Sequence, residues 1–146
     1  MTFDSRVFRQ VPRLLFGSGA TGRLRELVPA AGGWCLYIVD STLESTAIID
    51  RLPTRVEDRT EWFPAVDHEP STVQVDEIRD RVAASSNGLP MAIVGVGGGS
   101  TMDVAKAVSV MLTNPGSSSE YQGWDLVQQP GVFKIGVPTL SGSGAE

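Results

Sequence analysis

One stretch constrains this chain more than any other: the apolar run Met91 to Val96, then Gly97-Gly98-Gly99, then a segment opened by Ser100 that runs to Leu112 with helical periodicity. An unbroken apolar run suits a strand buried on both faces. Val104, Ala105, Val108 and Met111 recur at the spacing that lays one helix face on a sheet. The stretch therefore reads as strand, tight turn and helix. Glycines carry no Cβ, so the turn can adopt backbone conformations closed to other residues and a ligand can approach its N–H groups closely. Ser100 is placed to cap the helix, with Asp103 at the third helical position completing a capping box. The remaining N–H groups and the helix dipole would then face the turn and suit an anion, above all a diphosphate. A glycine turn serving geometry alone fits the same residues. Neither G-x-G-x-x-G nor G-x-x-x-x-G-K-[ST] is present.

The flanking chain supplies further strands and helices. Val7 to Phe16 reads as an extended segment or irregular hairpin interrupted by Pro12. A short helix follows from Thr21, with Leu24, Leu27 and Val28 inward. Trp34 to Val39 is a second buried strand ending at Asp40. Ser41 and Glu44 form a capping-box pair for a helix through Ile48 and Leu52, stopped by Pro53. Arg59 to Phe63 is a weaker strand. Ser71 and Gln74 again have capping-box spacing, before Val75, Ile78 and Val82 on one helix face, and Asn87-Gly88 is the stop. Asn114-Pro115-Gly116 closes the central helix. Glu120 to Val127 reads as a short helix and Val132 to Val137 as a last strand. Strands alternating with helices over short connections predict an α/β, Rossmann-like parallel sheet with flanking helices and right-handed crossovers.

Two blocks sharpen this reading. GGGSTMDVAKA, Gly97 to Ala107, resembles the G-G-G-S-x-x-D-x-A-K signature of the metal-dependent, iron-containing alcohol dehydrogenase family. VPTLSGSGAE, Val137 to Glu146, is similar to that family's P-T-x-x-G-T-G-S-E segment. The resemblance implies the N-terminal domain of the dehydroquinate-synthase-like and iron alcohol dehydrogenase fold. Residues 1–146 would be a dinucleotide-binding domain, cut short, with a helical metal-binding C-terminal domain absent. EPST at Glu69 to Thr72, the block Gly97 to Gly116, and YQGWDLV at Tyr121 to Val127 look like the subgroup that oxidises the C8 hydroxyl of 3-deoxy-D-manno-octulosonate (Kdo), the Kdo 8-oxidases. YQGWDLV is equally compatible with a loop anchored by its aromatics. Polyol or glycerol dehydrogenases and dehydroquinate-synthase-like enzymes share the fold, and a non-catalytic nucleotide-binding module is a reading of another class.

Ligands of open α/β sheets sit beyond the carboxyl ends of the strands. Asp40, the turn Gly97, Gly98, Gly99 and Ser100, and the segment Thr139 to Ser143 are accordingly the cofactor-binding candidates. In the usual dinucleotide fold an acidic residue follows the glycine turn by about 20 positions. Here Asp40 precedes Gly97 by 57. By resemblance, Asp40 faces the adenosine ribose, bonding its 2′-hydroxyl and repelling a 2′-phosphate, which favours NAD over NADP; capping of the following helix is its other available role. Asp103 and Lys106 are spaced for a surface ion pair, whereas the resemblance places Asp103 near the nicotinamide. Thr139 and Ser143 match hydroxyl positions of the second block, Ser143 standing where threonine is usual.

No catalytic residue and no metal ligand is assigned within these residues. A metal that lowers the pKa of an alcohol needs several His or carboxylate ligands, and the single histidine, His68, lies in the loop DHEPS. A divalent metal (Fe, Zn or Mn) is expected only in the full-length protein, as is a homodimer. The 146 residues, 41% hydrophobic, suffice for one core. A net charge of −5 with no basic run argues against nucleic acid or an anionic membrane as partner; the resemblance implies a small alcohol or sugar acid as substrate. Cys35, alone in WCLYIV, reads as a buried core residue. Without a signal-like or membrane-spanning run, a cytoplasmic protein is expected.

Overall fold

The computed structural model describes residues 11–28, 33–52, 62–65 and 69–141. Four strands, β1 (Cys35–Asp40), β2 (Trp62–Ala65), β3 (Ala92–Gly97) and β4 (Phe133–Pro138), make one sheet in the order β2-β1-β3-β4, every pair parallel. The α-helices are α1 (Ala47–Asp50), α2 (Thr72–Ala84) and α3 (Gly99–Met111). The α/β parallel fold expected from the alternation is the one observed.

The two central strands explain the core. Alternate residues of a strand face opposite ways, and both sides of β1 and β3 are covered. Leu36, Ile38 and Ile93 pack with Val75, Ile78 and Val82 of α2 and Val104, Val108 and Met111 of α3. Cys35, Tyr37, Val39, Val94 and Val96 point the other way, onto Leu24 and Leu52. Cys35 is a buried core residue, as its setting suggested. Helix α3 lies close over β3 because Gly95 has no side chain; a Cβ there would stand 2.9 Å from that of Ala105.

Several local expectations are corrected. Residues 11–16 form no strand, and Leu14 and Phe16 are exposed; residues 1–10 lie outside the described set. The helix near Thr21 is a 3-10 helix, Ala20–Glu26, which buries Leu24. Ser41 does not open a long helix. Asp40 caps a 3-10 turn, Ser41–Leu43, one residue earlier, and the α-helix that follows has a single turn. Ser71 does cap α2, its Oγ accepting from Gln74 N–H at 3.2 Å. Glu120 to Val127 is not helical throughout: a 3-10 turn covers Ser118–Tyr121, inside a Ser117/Glu120 capping box, and leaves Trp124 71% exposed. Tyr121 of YQGWDLV anchors the loop, its hydroxyl donating to Pro115 O at 2.6 Å.

A polar clamp ties that loop to α2. Asp76 accepts from Ser117 Oγ at 2.7 Å and Ser118 N–H at 2.9 Å, and Arg79 donates to Gly116 O. The Ser117 hydroxyl, then the Ser118 N–H and Arg79, hold the Asp76 carboxyl below the usual carboxylate range against the opposing effect of burial. A depressed folded-state pKa stabilises fully above the unfolded value, about 3.9, and the contribution disappears as pH falls through the lower folded value. Urea melts should therefore find Asp76→Asn less stable than wild type at pH 7, with the gap narrowing below about pH 4. A gap independent of pH would show that the carboxylate charge is not what holds the loop.

Candidate functional site

The chain leaves β1 for β2 on one side and returns to β3 on the other, so the strand order reverses between β1 and β3. Crevices at such reversals, beyond the carboxyl ends of the strands, are where open α/β sheets bind ligands. Asp40 ends β1, Gly97 ends β3, and Thr139 follows β4. The register places Gly97 beside Pro138, and Thr139 N–H donates to Gly97 O at 2.9 Å. A Cβ on Gly97 would lie 2.9 Å from that of Asp40. Three of the predicted places thus meet at one end of the sheet.

Helix α3 opens on this crevice without a side-chain cap. Gly98, in extended conformation, is its N-cap residue, and the first intrahelical bond runs from Met102 N–H to Gly98 O at 3.2 Å. The N–H groups of Gly99, Ser100 and Thr101 come before it. The expected Ser100/Asp103 capping box is therefore wrong: Ser100 is already the second helical residue and Asp103 the fifth, too far along to reach back. The correction leaves the helix mouth more open than expected. Leu140 closes one flank, its Cδ1 3.4 Å from where a Cβ on Gly98 would be.

Asp40 uses one carboxylate oxygen as a cap. Oδ1 accepts from Thr42 N–H at 3.0 Å and from Thr42 Oγ1 at 2.7 Å. Neither of these bonds uses Oδ2. Asp103 pairs with Lys106, Oδ1 to Nζ 3.2 Å, on the exposed side of the helix, where such a pair contributes little. Thr139 is half-buried beside the turn. Ser143 and His68 lie outside the described residues.

One residue at this site was not picked out from the sequence. Thr101, in the first turn of α3, is fully buried, and its Oγ1 has no hydrogen-bond partner among the described residues. An orphaned hydroxyl costs about 1–3 kcal/mol. The only available signal was a hydroxyl in the first turn of a glycine-headed helix. Bare N–H groups, a cradle that any Cβ would fill and a buried hydroxyl lacking a partner together fit the diphosphate of a nucleotide. Among the described residues no group of three or more His, Cys, Asp or Glu is gathered as for a metal, and no helix is long and apolar enough to cross a membrane.

Comparison with known proteins points to one family. The sequence profile of the family described as iron-containing alcohol dehydrogenase matches residues 12–146. An NAD-dependent methanol dehydrogenase of Bacillus methanolicus is 28% identical over 139 residues, 92% of this chain and 36% of that protein. A sulfoacetaldehyde reductase of Bilophila wadsworthia is 38% identical over 88 residues, covering 59% of this chain and 22% of that one. The crystal structure of an iron-containing alcohol dehydrogenase of Thermotoga maritima superposes with a TM-score of 0.69 at 28% identity, covering 86% of this chain and 34% of the other. The chain spans about a third or less of the length of these relatives.

Proposed function

Since the chain belongs to the iron-containing alcohol dehydrogenase family, we propose that residues 1–146 form the dinucleotide-binding N-terminal portion of an NAD-dependent enzyme that interconverts a small alcohol and its aldehyde. The observation that carries this is the meeting of Asp40, the uncapped start of α3 and the Thr139–Gly97 bond at the strand-order reversal. Bound nicotinamide would supply the hydride acceptor. The chain's own part is to bind and orient. The N–H groups from Gly97 to Ser100 hold the diphosphate, Asp40 takes a ribose hydroxyl on Oδ2, Thr139 and Ser143 flank the cofactor, and Asp103 lies toward its nicotinamide end. No ligand in this chain is assigned to the family's metal; the reading places those ligands in a helical portion beyond these residues, in a cytoplasmic homodimer. The methanol dehydrogenase and sulfoacetaldehyde reductase among its relatives support a small alcohol or aldehyde substrate.

A narrower reading rests on EPST, the Gly97 to Gly116 block and YQGWDLV: oxidation of the C8 hydroxyl of 3-deoxy-D-manno-octulosonate. Assay of the complete enzyme with this sugar acid, simple alcohols and sulfoacetaldehyde separates the substrates. Binding of NAD with no turnover of any of them would leave a nucleotide-binding module. These 146 residues alone, with metal added, should oxidise nothing; measurable alcohol oxidation would overturn the division of labour.

Calorimetry tests the cofactor role directly. Asp40→Gly removes the charge that opposes a 2′-phosphate, so the preference for NAD over NADP should fall by about tenfold or more, equivalent to about 1.4 kcal/mol. An unchanged ratio would remove Asp40 from the ribose site and leave it a helix cap only.

A further inference from the structure

We propose that the Thr101 hydroxyl is a concealed positioning group of the nucleotide crevice, one that finds its hydrogen-bond partner only when the anionic nucleotide is seated. The inference rests on the cofactor reading above. Buried polar side chains nearly always have a partner, in protein or ordered water, and Thr101 Oγ1 has none among the described residues. Its usual acceptor in a helix would be the carbonyl four residues back. That is Gly97 O, which receives the Thr139 N–H and not the Thr101 hydroxyl.

The position of the hydroxyl points to the crevice. A Cβ on Gly97 would lie 2.6 Å from Thr101 Oγ1, 2.8 Å from Thr101 Cβ and 2.9 Å from Asp40 Cβ. The oxygen therefore lies against the side of Gly97 where a Cβ would stand, the side that Asp40 at the end of β1 also approaches. The other buried orphan among the described residues, Asn87 Nδ2, lies before β3, at the opposite end of the strand. Valine has nearly the same shape as threonine. A position that needed only packing would be better served by it, because no hydroxyl would be left dry.

That contrast supplies the test. Thr101→Val and Thr101→Ser in the full chain are compared with wild type by thermal melting without ligand and by calorimetry with NAD. Thr101→Val should melt at the wild-type temperature or above it and bind NAD about five- to tenfold more weakly. Thr101→Ser, which keeps the oxygen and loses a buried methyl, should melt lower yet bind within about twofold of wild type. NAD affinity of Thr101→Val within twofold of wild type would overturn the role of Thr101 and leave the cofactor reading standing. A lower melting temperature for Thr101→Val, with affinity not rescued in Thr101→Ser, would make the hydroxyl structural and overturn it as well. Failure of wild type itself to bind NAD would overturn both readings.

Discussion

Gly97→Ala is expected to abolish measurable NAD binding and to lower stability by about 2–3 kcal/mol, the upper range for forcing an extra methyl into a packed site. The added Cβ would fall 2.6 Å from Thr101 Oγ1, 2.8 Å from Thr101 Cβ and 2.9 Å from Asp40 Cβ. None of these can yield cheaply. Thr101 is fully buried on α3, and Asp40 is tied through Oδ1 to Thr42. Relief would have to come from moving the end of β3 away from β1 or lifting the first turn of α3, and either motion spoils the row of N–H groups proposed to hold the diphosphate. Chemical denaturation and calorimetry on the same variant check both halves. Wild-type affinity in Gly97→Ala would show that the turn does not form the binding surface.

The other large effect lies away from the crevice. Asn114→Ala should cost about 3 kcal/mol, because one buried side chain satisfies several main-chain groups at once. Its Nδ2 donates to Val110 O and Gln129 O, both at 2.9 Å, and its Oδ1 accepts the N–H groups of Gln128 and Gln129, both at 3.0 Å. These bonds fasten the end of α3 to the loop that leads into β4. The Val132 N–H bond to Ser109 O continues the same seam. Alanine would leave the N–H groups of Gln128 and Gln129 and the carbonyl of Gln129 to find water or do without, while Val110 O keeps the N–H groups of Thr113 and Asn114. Urea unfolding measures the cost, and faster amide exchange at Gln128 and Gln129, with β3 still protected, would locate it. A loss below about 0.5 kcal/mol would mean that water replaces the amide freely.

The comparison between pattern and structure is instructive residue by residue. Strands β1 and β3 were legible because a doubly covered parallel strand must be apolar along its whole length, and few other elements produce that run. Helix α2 was legible from Ser71 together with Val75, Ile78 and Val82. The caps were not. Ser41 with Glu44 and Ser100 with Asp103 have capping-box spacing, yet Asp40 and Gly98 start those turns instead. A capping motif is a local offer. Which residue takes it up depends on where the preceding strand stops, and strand pairing such as Gly97 with Pro138 decides that. Asn114 was read as punctuation after a helix, whereas its partners Gln128 and Gln129 lie too far along the chain for any local pattern to reveal them.

By itself, the sequence determined the parallel α/β layering, the glycine turn at the head of α3 and the membership of a dehydrogenase family, since these rest on apolar runs, a missing Cβ and residues contiguous in the chain. Only the tertiary structure decided that Asp40, Gly97 and Thr139 share one crevice, that the start of α3 stays uncapped, and that the Thr101 hydroxyl is buried there without a partner. Those facts depend on contacts between segments tens of residues apart, which arise from the order and register of the strands rather than from any spacing along the chain.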